Sequence, residues 1–267
     1  MKLKLVQLES KYSFEMGKLQ NHLFNDYKIN WLDQVTSTMN IVDSKIRSNC
    51  LDEIVVANYQ TDGQGRFKRK WHSPLGKDLL LSIPLKLNLN QLSKLPILIS
   101  LSICKVIVRF LGSEKSVKIK WPNDIFVNGK KISGLVIRAT KKKSIVNANI
   151  GIGINVNSSM RDLLKIDHPA TSLLNEIKKD SDRQKILYEL IRQISYHFNQ
   201  PYANCFTEWK KFLWMPKNKI LLKNVDHNQF NEIECLPIGV DDDGLLIVQT
   251  SDGKNLKLTS EEVTFQY

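Results

Sequence analysis

The sequence predicts an α+β fold: a main domain with a mixed, largely antiparallel sheet and helices, followed by a small all-β unit. Three observations carry this. Strand-like and helical runs are mixed without the regular strand–helix–strand order of a parallel sheet. An Asn-Gly pair at Asn128 and Gly129 separates two apolar runs, and both central residues of a type I′ hairpin turn need the positive φ that this pair tolerates. After residue 215 helical periodicity stops, and short strands alternate with "DDDG" and "SDGK" turns, the pattern of a small barrel.

The elements follow in order. "TSTMNIVDSKIRS" reads as a helix capped by Ser37 or Thr38. "EIVVANYQ" (53–60) and "DLLLSIPL" (78–85) are strands. A helix over 90–111 ends at Gly112. Its apolar run carries Lys105 and Arg109, so it is a packed helix and not a membrane span. "VKIKW", "DIFV", "KISGLVIRA" and "IVNANIGIGINV" supply four more strands, and a helix over 182–199 stops before Pro201. The expected domains are a lead segment (1–25), a main domain (26–215) and a C-terminal barrel (216–267).

Composition narrows the function. Of 267 residues 42% are hydrophobic and 25% charged, enough for a core without disulfide or metal staples. Cys50, Cys104, Cys205 and Cys235 form no Cys-x-x-Cys pair, and no secretory leader is evident, so a reducing, cytoplasmic setting is expected. His22, His72, His168, His197 and His227 lack metal-ligand spacing, so no metal site is assigned and each is given a structural or surface place. The net charge of +12 comes from lysines spread along the chain. It reads as diffuse surface charge, with a basic nucleic-acid-binding protein as the competing class.

Three segments hold chemistry. "GQGRFKRKW" (63–71) joins glycines to cations and an aromatic ring, a combination suited to an anionic ligand. In "KIKWPNDIFVNGKKISGLVIRA" the hairpin folds Lys131 back beside Asn123 and Asp124; Lys130 reads as a solvated lysine, and Lys131 reads equally as a cavity cation or a solvated one. In "NIGIGINVN", Gly151 and Gly153 mark a close approach on a strand. A neighbouring helix explains Gly151 better than Gly153.

The order "TST", "YQTDGQGRFKRKWHSP", "KWPNDI", "KKISGLVIRA", "GIGINVN" and "ATSL" resembles the biotin–protein ligase family from about residue 30 onward. The resemblance implies a core similar to that of class II aminoacyl-tRNA synthetases, with a C-terminal barrel of the Src-homology-3 type. It also implies a two-step reaction. Biotin and ATP give biotinyl-5'-AMP and pyrophosphate, and a carrier lysine then takes the biotinyl group. By motif, Lys131, Arg66 and Asp124 are the implied catalytic residues. Ser37, Thr38, Gln60, Gly65, Arg66, Lys131 and Gly134 would bind biotin, and Arg66, Arg69, Trp71, Asn123, Lys131 and Asn155 the nucleotide. Mg²⁺ would accompany ATP, with Asp124 as metal ligand or base. The implied partner is the biotin carboxyl carrier domain of acetyl-CoA carboxylase or a related carboxylase, and the expected state is a monomer or weak homodimer. The charge would assist docking of acidic carriers. About 30 residues before "WLDQVTST" are too few for a DNA-binding domain, so no DNA partner is expected. A lipoate or octanoate ligase or transferase is the alternative within the same fold.

Four positions depart from the family pattern: Gln64 replaces arginine, Lys68 glycine, Met39 asparagine and Gln266 arginine.

Overall fold

The computed structural model describes Phe24 and residues 27–114, 116–216, 218–223 and 232–259. The expectations for Gln266 and the C-terminal "EEVTFQY" fall outside these residues.

The strands of the main sheet are β1 (Lys28–Val35), β2 (Glu53–Gln60), β3 (Leu79–Asn88), β4 (Val117–Lys120), β5 (Asp124–Val127), β6 (Lys130–Lys142), β7 (Ile145–Ile154) and β8 (Leu213–Trp214). Their spatial order is β1-β2-β3-β7-β6-β5-β4-β8. β1 pairs with β2, and β4 with β8, in parallel; the other pairs are antiparallel. The predicted hairpin forms at Asn128 and Gly129, both with positive φ. The helices are α1 (Thr38–Arg47), α2 (Leu95–Leu111), α3 (Met160–Leu163), α4 (Leu173–Ile177), α5 (Arg183–Phe198) and α6 (Tyr202–Phe212). Gly112 closes α2 at φ 69, the left-handed cap that glycine adopts without strain.

The period-two alternation of the central strands separates two environments. Leu79, Leu81, Ile83, Ile150, Ile152 and Ile154 join the main core with buried side chains of α2, α5 and α6. The alternate residues Ser82, Asn149, Gly151 and Gly153 are small or polar and face away from that core. α1 lies on this second face. It buries Val42 in a small cluster with Leu32, Val35, Val55 and Ala57, and Asn149 Nδ2 donates to Met39 O at 2.9 Å and Asp43 Oδ1 at 2.6 Å. β2 is apolar at consecutive positions because Ile54 and Val56 serve one core, Val55 and Ala57 the other.

α2 is apolar on nearly every side because it lies between the sheet and two helices. Its few polar atoms are paired: Trp209 Nε1 donates to Ser100 Oγ at 2.9 Å, and Ser102 Oγ lies 2.8 Å from His197 Nδ1. Burial pulls the His197 pKa down from 6.5 to about 4. The unfolded ring binds the proton more readily, so this part of the stability is complete above pH 6.5 and declines as pH falls toward 4. The full loss is about 3 kcal/mol. Urea unfolding between pH 7.5 and 4.5 should show a shallower pH slope for His197→Gln than for the wild type; equal slopes would rule this out.

A second sheet of β9 (Ile220–Lys223), β10 (Glu232–Val240), β11 (Leu246–Thr250) and β12 (Asn255–Leu258) is antiparallel in the order β12-β11-β10-β9. This small C-terminal sheet accompanies the α+β main body as the sequence predicts. Trp121 Nε1 donates to Gly244 O at 2.8 Å and Tyr202 Oη to Asp242 O at 3.1 Å, fastening it to the main body. Among the described residues no helix is long and apolar enough to cross a membrane.

Candidate functional site

The small-residue face of the sheet, the start of α1 and the basic loop enclose a cavity of about 140 Å³. It is lined by every residue implied to be catalytic or ligand-binding except Asn155. That residue is 2% exposed and donates from Nδ2 to Thr171 O at 2.9 Å, turned into the protein behind the cavity. Its side chain holds the segment that follows His168.

One end of the cavity is polar and uncharged. Gln60 Oε1, at the end of β2, accepts from Thr38 N at 2.7 Å and Thr38 Oγ1 at 3.1 Å, and Thr38 Oγ1 lies 2.8 Å from Ser82 Oγ. This fixes the Gln60 amide. Ser37 is buried and makes no side-chain cap bond to α1. Met39 packs across Gly151, where a Cβ would stand 2.6 Å from its Sδ; the neighbouring helix is what this glycine admits.

The basic loop supplies a cationic wall. "GQGRFKRKW" folds as a narrow finger: Trp71 N donates to Gly63 O at 2.8 Å, Gly65 N to Arg69 O at 2.7 Å, and Gln64 bridges Lys70. At its tip Phe67 and Lys68 have φ of 54 and 56, a left-handed backbone that costs a non-glycine residue about 1 kcal/mol or more. Lys68 stands where the family pattern has glycine and keeps the conformation that glycine serves. Arg66 Nη1 donates to Asn123 Oδ1 at 3.2 Å, while Asn123 Nδ2 donates to Leu135 O at 2.7 Å. Asn123 thus ties the finger to the β5–β6 hairpin.

Lys131 owes its direction to a β-bulge. β5 and β6 pair Asp124 with Gly134 and Ile125 with Ser133, but Phe126 with Lys131, so Ile132 is the extra residue. Strict alternation would turn Lys131 away from the Gly134 face; the bulge returns it. Its Nζ lies 2.7 Å from Asp124 Oδ1 and 5.5 Å from the Trp71 ring centroid. A Cβ on Gly134 would meet Asp124, Lys131 and Trp71 each at 3.2 Å, so these three groups converge on one point.

Trp71 rests on β7, and a Cβ at Gly153 would lie 2.5 Å from its ring. Gly153→Ala must therefore displace a rigid indole, whereas Gly151→Ala displaces a flexible thioether. We expect Gly153→Ala to lower stability by about 1–3 kcal/mol, with a milder effect at Gly151. Thermal melts of both variants check the order, and equal losses would contradict it.

Sequence reasoning passed over two lining residues. Lys120 is 7% exposed, lies 5.5 Å from the Phe126 ring centroid and 5.8 Å from that of Trp214, and burial lowers its pKa. Its place as the last residue of "VKIK" before Trp121 was the available signal. His168, assigned to structure or surface, lines the cavity; only contact across the fold reveals that. Arg66, Arg69, Lys70, Lys120 and Lys131 thus surround a cavity in which Asp124 is the one lining carboxylate among the described residues. A protein-held Mg²⁺ needs oxygen ligands. One carboxylate already engaged by Lys131 does not fit that requirement, and the described residues contain no cluster of three metal-ligating side chains.

The fold is that of an ATP-dependent ligase. Residues 31–155 match the biotin/lipoate A/B protein ligase family. The bifunctional ligase/repressor BirA of Bacillus subtilis (strain 168) is 28% identical over 256 residues, covering 94% of this chain and 76% of BirA. Biotin–protein ligase 1, chloroplastic, of Arabidopsis thaliana is 30% identical over 173 residues, covering 61% and 46%. The solved structure of the biotin protein ligase from Aquifex aeolicus in complex with biotin and ATP superimposes with a TM-score of 0.70 at 26% identity, covering 90% of this chain and 98% of that one. Over most of its length the chain is similar to biotin–protein ligases.

Proposed function

We propose that the protein activates biotin with ATP and transfers it to a lysine of a biotin carboxyl carrier domain. The observation that carries this reading is the convergence of Arg66 and Lys131, from separate segments, in one cavity that also holds the uncharged Thr38–Gln60 cluster. A carboxylate must approach a triphosphate, and two unit charges at 4 Å repel by about 4 kcal/mol at an effective dielectric of 20. Fixed cations remove that barrier without reorganising during the reaction.

In the first step a biotin carboxylate oxygen attacks the α-phosphorus, and the bond to pyrophosphate breaks. In the second, a carrier amine attacks the acyl carbon, AMP leaves, and the amine loses a proton. Ser37, Thr38 and Gln60 receive the ureido head. Gly65, where a Cβ would meet only Arg69 O at 3.6 Å, leaves room for the ligand beside the finger. Arg66 and Lys131 hold the carboxylate and α-phosphate, with Gly134 giving room beside them. Arg69 and Asn123 flank the phosphates, Trp71 offers its ring to adenine, and Asn155 supports the wall from behind. Asp124 orients Lys131; Mg²⁺ arrives with the triphosphate. Catalysis belongs to residues 26–215, with 216–267 as a docked companion.

Exchange of labelled pyrophosphate into ATP should depend on biotin. Exchange with lipoate alone would transfer the reading to the lipoate branch of the family.

A further inference from the structure

We propose that His168 is a phosphate-facing residue of this cavity that becomes a cation only when the polyanionic nucleotide is bound. This rests on the ligase reading above and adds to it a residue outside the motifs that carry the family resemblance.

Geometry comes first. His168 is half-buried in the cavity lining. The chain immediately after it is clamped to Lys131 on both sides: Lys131 N donates to Pro169 O at 2.9 Å, Thr171 N to Lys131 O at 2.8 Å, and Ala170 forms a parallel bridge with Lys131. Thr171 is itself held, its Oγ1 donating to Glu176 Oε1 at 2.6 Å and its carbonyl accepting from Asn155. The imidazole is therefore carried on a fixed segment joined to the backbone of the principal cation.

The charges around it explain why it changes state. Lys131 on β6 and Arg69 on the finger disfavour a proton on the ring, whereas Asp124 on β5 and Asp167 beside it favour one. Burial is the largest influence and acts with the two cations to hold the pKa below 6.5. A bound triphosphate brings several negative charges to the same cations. It reverses the local balance and favours the imidazolium, as opposite charge does for any titrating group. Binding then draws a proton from solvent, up to one per site, near neutral pH. By linkage, affinity weakens as pH rises through that window, by at most tenfold per pH unit.

Titration calorimetry of ATP binding, without biotin so that no adenylate forms and in two buffers of different ionisation enthalpy, reads the proton count directly. The wild type should take up about half a proton more at pH 7 than His168→Gln, which removes titration and keeps a polar side chain. KM for ATP should rise about threefold or more between pH 6.5 and 8 in the wild type relative to the variant, with kcat little changed. His168→Asn should behave as His168→Gln does. Equal proton counts and parallel KM profiles in correctly folded variants would overturn the inference and leave the ligase reading standing. Failure of the wild type to exchange pyrophosphate with biotin would overturn the ligase reading, while the proton count on ATP binding still decides the role of His168. A wild type that binds no ATP overturns both.

Discussion

Lys131→Ala should lose on the order of a hundredfold or more in biotin-dependent pyrophosphate exchange, the scale of removing one preorganised electrostatic partner. The geometry makes this loss larger than that of a surface cation. The Lys131 side chain is 16% exposed and its Nζ lies 2.7 Å from Asp124 Oδ1. Its removal therefore does two things: it takes away the positive charge, and it leaves the Asp124 carboxylate facing an incoming acid and triphosphate. Asp124→Asn separates the two. If Asp124 acts by orienting Lys131, the Asn variant keeps the cation, loses its restraint, and falls by less than Lys131→Ala. If the alanine variant turns over at close to the wild-type rate, the electrostatic account of the cavity is wrong. Lys130, exposed at the start of the same strand, is the matched control, and Lys130→Ala should change exchange less than twofold.

Much of this site was legible because its parts are local. An Asn-Gly turn fixes a hairpin within a few residues, and the hairpin brings Lys131 beside Asn123 and Asp124 before any tertiary contact is considered. What sequence could not supply is the bulge that skips Ile132, since two registers of the same strands look alike until they pair. Five elements of the main body were missed, β1, β8, α3, α4 and α6, and two of them show why. β1 mixes Asn30, Asp33 and Gln34 into a strand whose partner is parallel, so neither alternation nor a turn announces it. α6 begins immediately after Pro201, read as the end of the preceding helix although proline equally opens one. Its buried Cys205, Phe206, Trp209 and Phe212 follow helical spacing and were the available signal. Lys120 and His168 reach the cavity through pairings across the fold, and composition carries no trace of such neighbours.

Asp78→Ala should cost about 3 kcal/mol or more, a fall of roughly 6–12 °C in melting temperature for a chain of this size. Asp78 is fully buried and belongs to no predicted site, yet its carboxylate gathers the segments that frame the cavity. Oδ1 accepts from Val156 N at 2.8 Å and Ser158 N at 3.3 Å, and Oδ2 from Ser73 Oγ at 2.7 Å and Ser158 Oγ at 2.6 Å. Ser73 is two residues past Trp71, Val156 two past the end of β7, and Ser158 O accepts from Ser172 Oγ at 2.7 Å at the start of α4. Alanine would leave these donors without an acceptor in a place water reaches poorly, and the exit of the basic finger without its anchor. Burial raises the Asp78 pKa against the pull of its four donors, so the charge itself is the costly part of the arrangement. Asp78→Asn, neutral at every pH and still an acceptor, should therefore lose less than alanine. A melt of Asp78→Ala within 1 °C or so of the wild type would show that the finger and β7 hold their places without this carboxylate. A larger loss in Asn than in Ala would show that its charge is what the loops require.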